Sequence, residues 1–156
     1  MTGSRLDHLN IVVSDLDAAA AFFRLLGFVE EDRAELSGAW LSAVVGLPAV
    51  RAEYIALRLP GSATRLELIA YRHPPSPLSA GIADANRIGF RHLALAVDDI
   101  AAEVARLQAA GVEFLSDIQI FPASGKELVY FHGPDGILLE LAEYPPKPCN
   151  PEDPRT

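Results

Sequence analysis

Four side chains offer chemistry in this sequence: His8, Glu67, His92 and Glu140. Each imidazole sits at the head of an apolar run, Leu9–Asn10–Ile11–Val12–Val13 after His8 and Leu93–Ala94–Leu95–Ala96–Val97 after His92. Each carboxylate stands between leucines, as Leu66–Glu67–Leu68 and as Leu139–Glu140–Leu141. Ionised carboxylates are seldom placed in aliphatic strands without a partner, because desolvating the charge is costly. Two imidazole nitrogens and two carboxylate oxygens, with positions left for water or substrate, suit divalent zinc, nickel, cobalt, manganese or iron. Affinity order alone does not choose among these metals.

The elements that must position these groups are written twice. Superposing His8 on His92 also brings Val13 onto Val97, Asp15 onto Asp99 and Gly27 onto Gly111. The ends agree as well, with Leu66–Glu67–Leu68–Ile69–Ala70–Tyr71 set against Leu139–Glu140–Leu141–Ala142–Glu143–Tyr144. Such self-similarity points to two copies of one supersecondary unit. Alternating aliphatic residues predict strands at 6–13 and 91–97. Ser14–Asp15 and Asp98–Asp99 cap the helices that follow, with Leu16, Ala19, Ala20 and Phe23 on one face of the first and Ile100, Val104 and Leu107 on one face of the second. Gly27 and Gly111 end them. Further strands are expected at 28–33, 51–59 and 65–71, and at 112–115, 128–132 and 137–144. Gly38 to Pro48 reads as a short helix or a loop.

The pleat of a strand sends His8, Asn10 and Val12 to one face and Leu9, Ile11 and Val13 to the other. By the same parity Glu67 and Glu140 leave the face on which their flanking leucines pack. The domain organisation follows: a first module at 1–75, a proline-rich linker at 76–89, a second module at 90–145 and a proline-rich tail at 146–156, where neither helix nor central strand is feasible.

Composition narrows the class. Of 156 residues, half are hydrophobic and 22% charged, as in a globular rather than a disordered chain. A formal charge of −8 argues against nucleic acid or an anionic membrane as partner. The single cysteine, Cys149, excludes an internal disulfide framework. No segment reaches the roughly 20 apolar residues that span a bilayer, and the first residues do not read as a signal peptide. A soluble, cytoplasmic protein is expected.

With these residues in hand, the sequence resembles the vicinal oxygen chelate superfamily, which includes glyoxalase I, methylmalonyl-CoA epimerase, extradiol dioxygenases, fosfomycin-resistance enzymes and bleomycin-resistance proteins. The resemblance spans roughly residues 6–144 and rests on His8, Glu67, His92, Glu140 and the Gly133–Pro134–Asp135–Gly136 turn. It implies an α+β fold of two paired βαβββ modules, forming a curved mixed sheet that cups a metal. It also implies that the four residues are the metal ligands, that Glu67 or Glu140 moves a proton, and that the chain forms a homodimer. The implied activity is a metal-dependent glyoxalase-type lyase or isomerase, stabilising an enediolate or enolate of a small substrate with adjacent oxygens.

Departures within the family sort its members. Glyoxalase I carries an arginine four residues after its first ligand, where this chain has Val12. Ser124–Gly125–Lys126 ahead of Val129–Tyr130–Phe131–His132 looks more like the epimerase pattern, with Lys126 able to reach a substrate carboxylate or phosphate. Tyr130 stands ten residues before Glu140, as in extradiol dioxygenases, but the upstream histidine of those enzymes is missing from 122–127. A bleomycin-resistance-like binding protein is the non-enzymatic alternative, with Trp40, Tyr54, Phe121 and Tyr130 available for an aromatic groove. Lys126, Tyr130 and Trp40 are therefore the expected substrate contacts.

Overall fold

A computed structural model describes residues 5–78 and 80–146. The proline-rich tail beyond 146, with Cys149, lies outside the described residues. The chain divides into two compact units. One carries the N-terminal elements and also takes in Gly133–Gly136; the other begins at Ile82 and holds the remaining elements.

The first unit runs β1 (His8–Val12), α1 (Leu16–Leu25), β2 (Val29–Ser37), α2 (Ala39–Val45), β3 (Arg51–Arg58) and β4 (Arg65–His73). Its sheet has the order β1-β4-β3-β2, with β1 parallel to β4 and the other pairs antiparallel. Leu16, Ala19, Ala20 and Phe23 are all buried, as their helical spacing requires. The Asp15 carboxylate accepts from Ala18 N at 2.9 Å and so satisfies one of the free donors of the first turn. Gly27, at φ +86°, ends the helix in a conformation that a Cβ would strain. Phe23 then meets Phe28 edge to face at 5.5 Å. Residues 39–45 form the short helix α2, whose Leu41 packs with Val50 and Ala52.

The second unit runs β5 (His92–Ala96), α3 (Ile100–Ala109), β6 (Gln119–Phe121), β7 (Lys126–His132) and β8 (Leu138–Glu143). Its sheet order, β5-β8-β7-β6, repeats the first: a parallel outer pair followed by antiparallel ones. The Asp99 carboxylate caps α3 through Ala102 N at 2.8 Å, and Gly111 at φ +88° ends it. The expected paired βαβββ architecture is present, as two four-stranded mixed sheets.

The strand expected at 112–115 does not form. Phe114 makes one antiparallel bridge to Phe131, and Leu115 N donates to Tyr130 O. The chain then turns where Ser116 Oγ and Gln119 Nε2 both donate to the Asp117 carbonyl. Local side-chain bonds of this kind compete with ladder formation, and pairing resumes only at the three residues of β6.

Candidate metal-binding pairs

Both glutamates lie on central strands and both histidines on the parallel neighbour, in the same register. Asn10 is opposite Glu67 on β4, and Ala94 is opposite Glu140 on β8. The histidine two residues earlier on each outer strand therefore shares the glutamate's face, one step away. The contacts match atom for atom. His8 Nε2 stands 3.6 Å from Glu67 Oε2, and His92 Nε2 stands 3.1 Å from Glu140 Oε2.

The second ring nitrogen has a partner in each case. His8 Nδ1 is 2.9 Å from Asp7 Oδ2, and His92 Nδ1 is 3.5 Å from the Tyr130 hydroxyl. A group that engages Nδ1 leaves Nε2 as the free ligating nitrogen, a frequent arrangement at metal-binding histidines. The hydrogen bond to His8 holds the Asp7 carboxyl below its ordinary range, with Arg65 lowering it further. Burial pushes the Tyr130 hydroxyl up, and the Glu140 charge adds to that.

The two pairs differ in how firmly their carboxylates are held. The Glu140 side chain is 4% exposed, and Lys126 Nζ donates to its Oε1 at 2.5 Å. The same ammonium lies 5.4 Å from the centre of the Tyr144 ring. Its hydrogen bond to Glu140 raises the Lys126 pKa above the ordinary lysine value. Glu67 is 17% exposed, and its cationic neighbour, Arg65, approaches Oε1 only to 3.8 Å. At such distances the pair is loose and water-screened.

The four residues expected as ligands thus come together two by two. Among the described residues no group of three or more His, Cys, Asp or Glu side chains is gathered to hold a metal. Of the expected substrate contacts, Lys126 and Tyr130 join the His92–Glu140 pair. Trp40 stands on α2 in the first unit, 60% exposed, next to Gly38. Asp7 also belongs to the first pair, and its signal in the sequence is a carboxylate immediately before a candidate histidine. Arg65, beside both Asp7 and Glu67, is likewise part of the first pair. In donor type each pair fits a divalent ion: one imidazole nitrogen turned to one carboxylate oxygen, each backed by a further partner.

Comparison with known proteins agrees with this fold and this pattern. The family model for the glyoxalase/bleomycin resistance protein/dioxygenase superfamily matches residues 5–141. The chain is 30% identical over 141 residues to the mitochondrial methylmalonyl-CoA epimerase of Mus musculus, covering 89% of this chain and 72% of that protein. It is 34% identical over 147 residues to an ethylmalonyl-CoA/methylmalonyl-CoA epimerase of Cereibacter sphaeroides, covering 89% of this chain and 97% of that one. A glyoxalase family protein from Bacillus cereus has a similar structure, with a TM-score of 0.82 at 33% identity over 92% of this chain and 98% of the other. The strand order, the repeated His–Glu register and these matches converge: the chain belongs to the glyoxalase/bleomycin resistance protein/dioxygenase superfamily.

Proposed function

We propose that this chain is a divalent-metal-dependent isomerase of the glyoxalase type, with epimerisation beside a thioester carbonyl as its nearest chemistry. The observation that carries it is the matched pair of His–Glu contacts, each with Nε2 facing a carboxylate oxygen. The relatives named as epimerases of methylmalonyl-CoA and ethylmalonyl-CoA support the choice of reaction. His8 with Glu67, and His92 with Glu140, are the residues that would hold a divalent ion. When bound there, a divalent ion supplies Lewis-acid stabilisation to the oxygens of an enolate or enediolate.

The remaining work falls to the chain's own groups. Glu140, pinned by Lys126 and His92, is the anchor. Glu67, more exposed and without a close cation, is the carboxylate free to take the proton from the carbon beside the carbonyl and to return it. Asp7 and Tyr130 orient the imidazoles. Dimerisation is part of the same reading.

Elemental analysis of untagged protein, run beside Glu140→Ala, tests it first. About one transition-metal ion per chain is expected in the wild type and none in the variant. The loaded protein should then exchange the 2-hydrogen of a 2-substituted acyl-CoA ester with solvent deuterium. Absence of metal after reconstitution sinks the proposal.

One observation favours a second reading, a small-molecule binding protein. An open cleft of about 540 Å³ lies at α2, lined by Ser37, Gly38, Ala39, Ser42, Ala49, Val50 and Arg51. A metal-free protein that retains a hydrophobic ligand through purification would support that reading instead.

A further inference from the structure

Lys126 was expected to face substrate, yet its ammonium is committed within the protein. It donates to Glu140 Oε1 at 2.5 Å, lies over the Tyr144 ring and is 20% exposed. The other carboxylate oxygen, Oε2, is the one turned to His92 Nε2 at 3.1 Å. The two oxygens of Glu140 therefore have separate assignments, one to the lysine and one to the histidine side.

We propose that Lys126 is a positioning residue, which holds Glu140 Oε1 so that only Oε2 is presented to a divalent ion and the carboxylate ligates through a single oxygen. The inference rests on the metal-dependent reading above. Its physical basis is the strength of a charge-assisted hydrogen bond to a carboxylate with little access to water. An unheld carboxylate can rotate, offering both oxygens or neither in register with His92. Glu67 is the internal contrast: with Arg65 at 3.8 Å, it has no such close clamp. A lysine occupied in this way is poorly placed to bind a substrate anion as well, so Lys126, at the start of β7, serves the ligand and not the substrate.

Cobalt(II) is the probe, titrated into metal-free wild type, Lys126→Met, Lys126→Gln and Lys126→Arg, with calorimetry for affinity and visible absorption for coordination. Circular dichroism checks folding. Lys126→Met is expected to weaken cobalt binding about 10- to 100-fold, the usual cost of losing a partner that orients a ligand, and to change the visible band. Lys126→Arg, which keeps a charged donor, should restore most of the affinity, and Lys126→Gln should fall between, so a poorly folding Met variant does not leave the idea untested. If Lys126→Met keeps wild-type affinity and band and only raises KM, the positioning role is overturned and Lys126 belongs to the substrate. If the wild type itself binds no cobalt, the metal-dependent reading falls, and this inference with it.

Discussion

The two His–Glu pairs share a scaffold and differ in what surrounds them. On both central strands the glutamate sits between buried leucines, and on both parallel neighbours the histidine turns Nε2 towards it. In the second unit the whole of Leu138–Ala142 is buried, Lys126 clamps the carboxylate and the imidazole lies 5.0 Å from the Tyr130 ring. In the first, His8 is exposed, its partner Asp7 is exposed, and Glu67 is held at salt-bridge distances beyond 3.5 Å. Repetition of backbone thus preserved the geometry of the donors while the neighbours diverged. A tight pair and a loose pair suit the different work proposed for them: one would fix an ion, the other would take up and return a proton.

Removing each glutamate from metal-free protein should expose that difference most strongly. Glu140→Ala leaves the Lys126 ammonium largely buried with no anion. Breaking a buried pair in this way costs about 3–5 kcal/mol, and the partial exposure of Lys126 brings the expectation to about 2 kcal/mol. Glu67→Ala leaves only solvent-accessible partners and should cost below about 1 kcal/mol. Urea unfolding of the two variants checks this. Equal losses would mean that the contrast between the pairs has no energetic weight.

The helix caps test the converse, that the scaffolds are alike. Asp15→Ala should destabilise by about 1 kcal/mol, the ordinary cost of losing an N-cap. Asp99→Ala should cost about half as much, because Glu143 Oε2 accepts from Ile100 N at 2.7 Å and still satisfies one donor of that helix. The corresponding support in the first unit reaches the residue before the cap: Asp135 accepts from both Ser14 N and Ser14 Oγ. Thermal melts read both values, and a larger loss at Asp99 would show that Glu143 does not act as a reserve cap.

How much of this was legible in the sequence depends on the range of the interaction. The strand–helix openings, the capping pairs Ser14–Asp15 and Asp98–Asp99 and the ends Gly27 and Gly111 are local, so periodicity and side-chain type suffice; that Asp15 and Asp99 are the members that cap is set by the backbone. The shared face of His8 with Glu67 and of His92 with Glu140 follows from parity once the strands are placed. What parity cannot supply is register between distant strands, and the Lys126–Glu140 contact depends on it: β7 must be aligned on β8 so that Tyr130 opposes Glu140. The strand expected at 112–115 failed for a local reason that alternation masked, the turn at Ser116–Asp117. The length of β2, which continues through Ser37, depends on pairing with β3 and not on its own polar sequence.

The smallest effect separates the groups behind the two imidazoles by pH. Asp7 is a carboxyl whose folded pKa lies below its ordinary value of 3.8, because the folded state gives its charged form a hydrogen bond from His8. A depressed carboxyl contributes stability that is present above the unfolded value and lost as pH falls through the folded one. Tyr130 shifts the other way: burial raises it above 10.0, so its contribution is present below that value and lost as pH rises through the folded one. Asp7→Asn should therefore flatten the acid limb of a stability–pH curve below about pH 4 and leave the alkaline limb unchanged. Tyr130→Phe should flatten the limb above about pH 10 and leave the acid one unchanged. Denaturant midpoints measured across both limbs check the pair of results. If either variant altered the limb assigned to the other, the two imidazoles would share a titrating neighbour, and the division into a loose carboxylate-backed pair and a tight phenol-backed pair would be wrong.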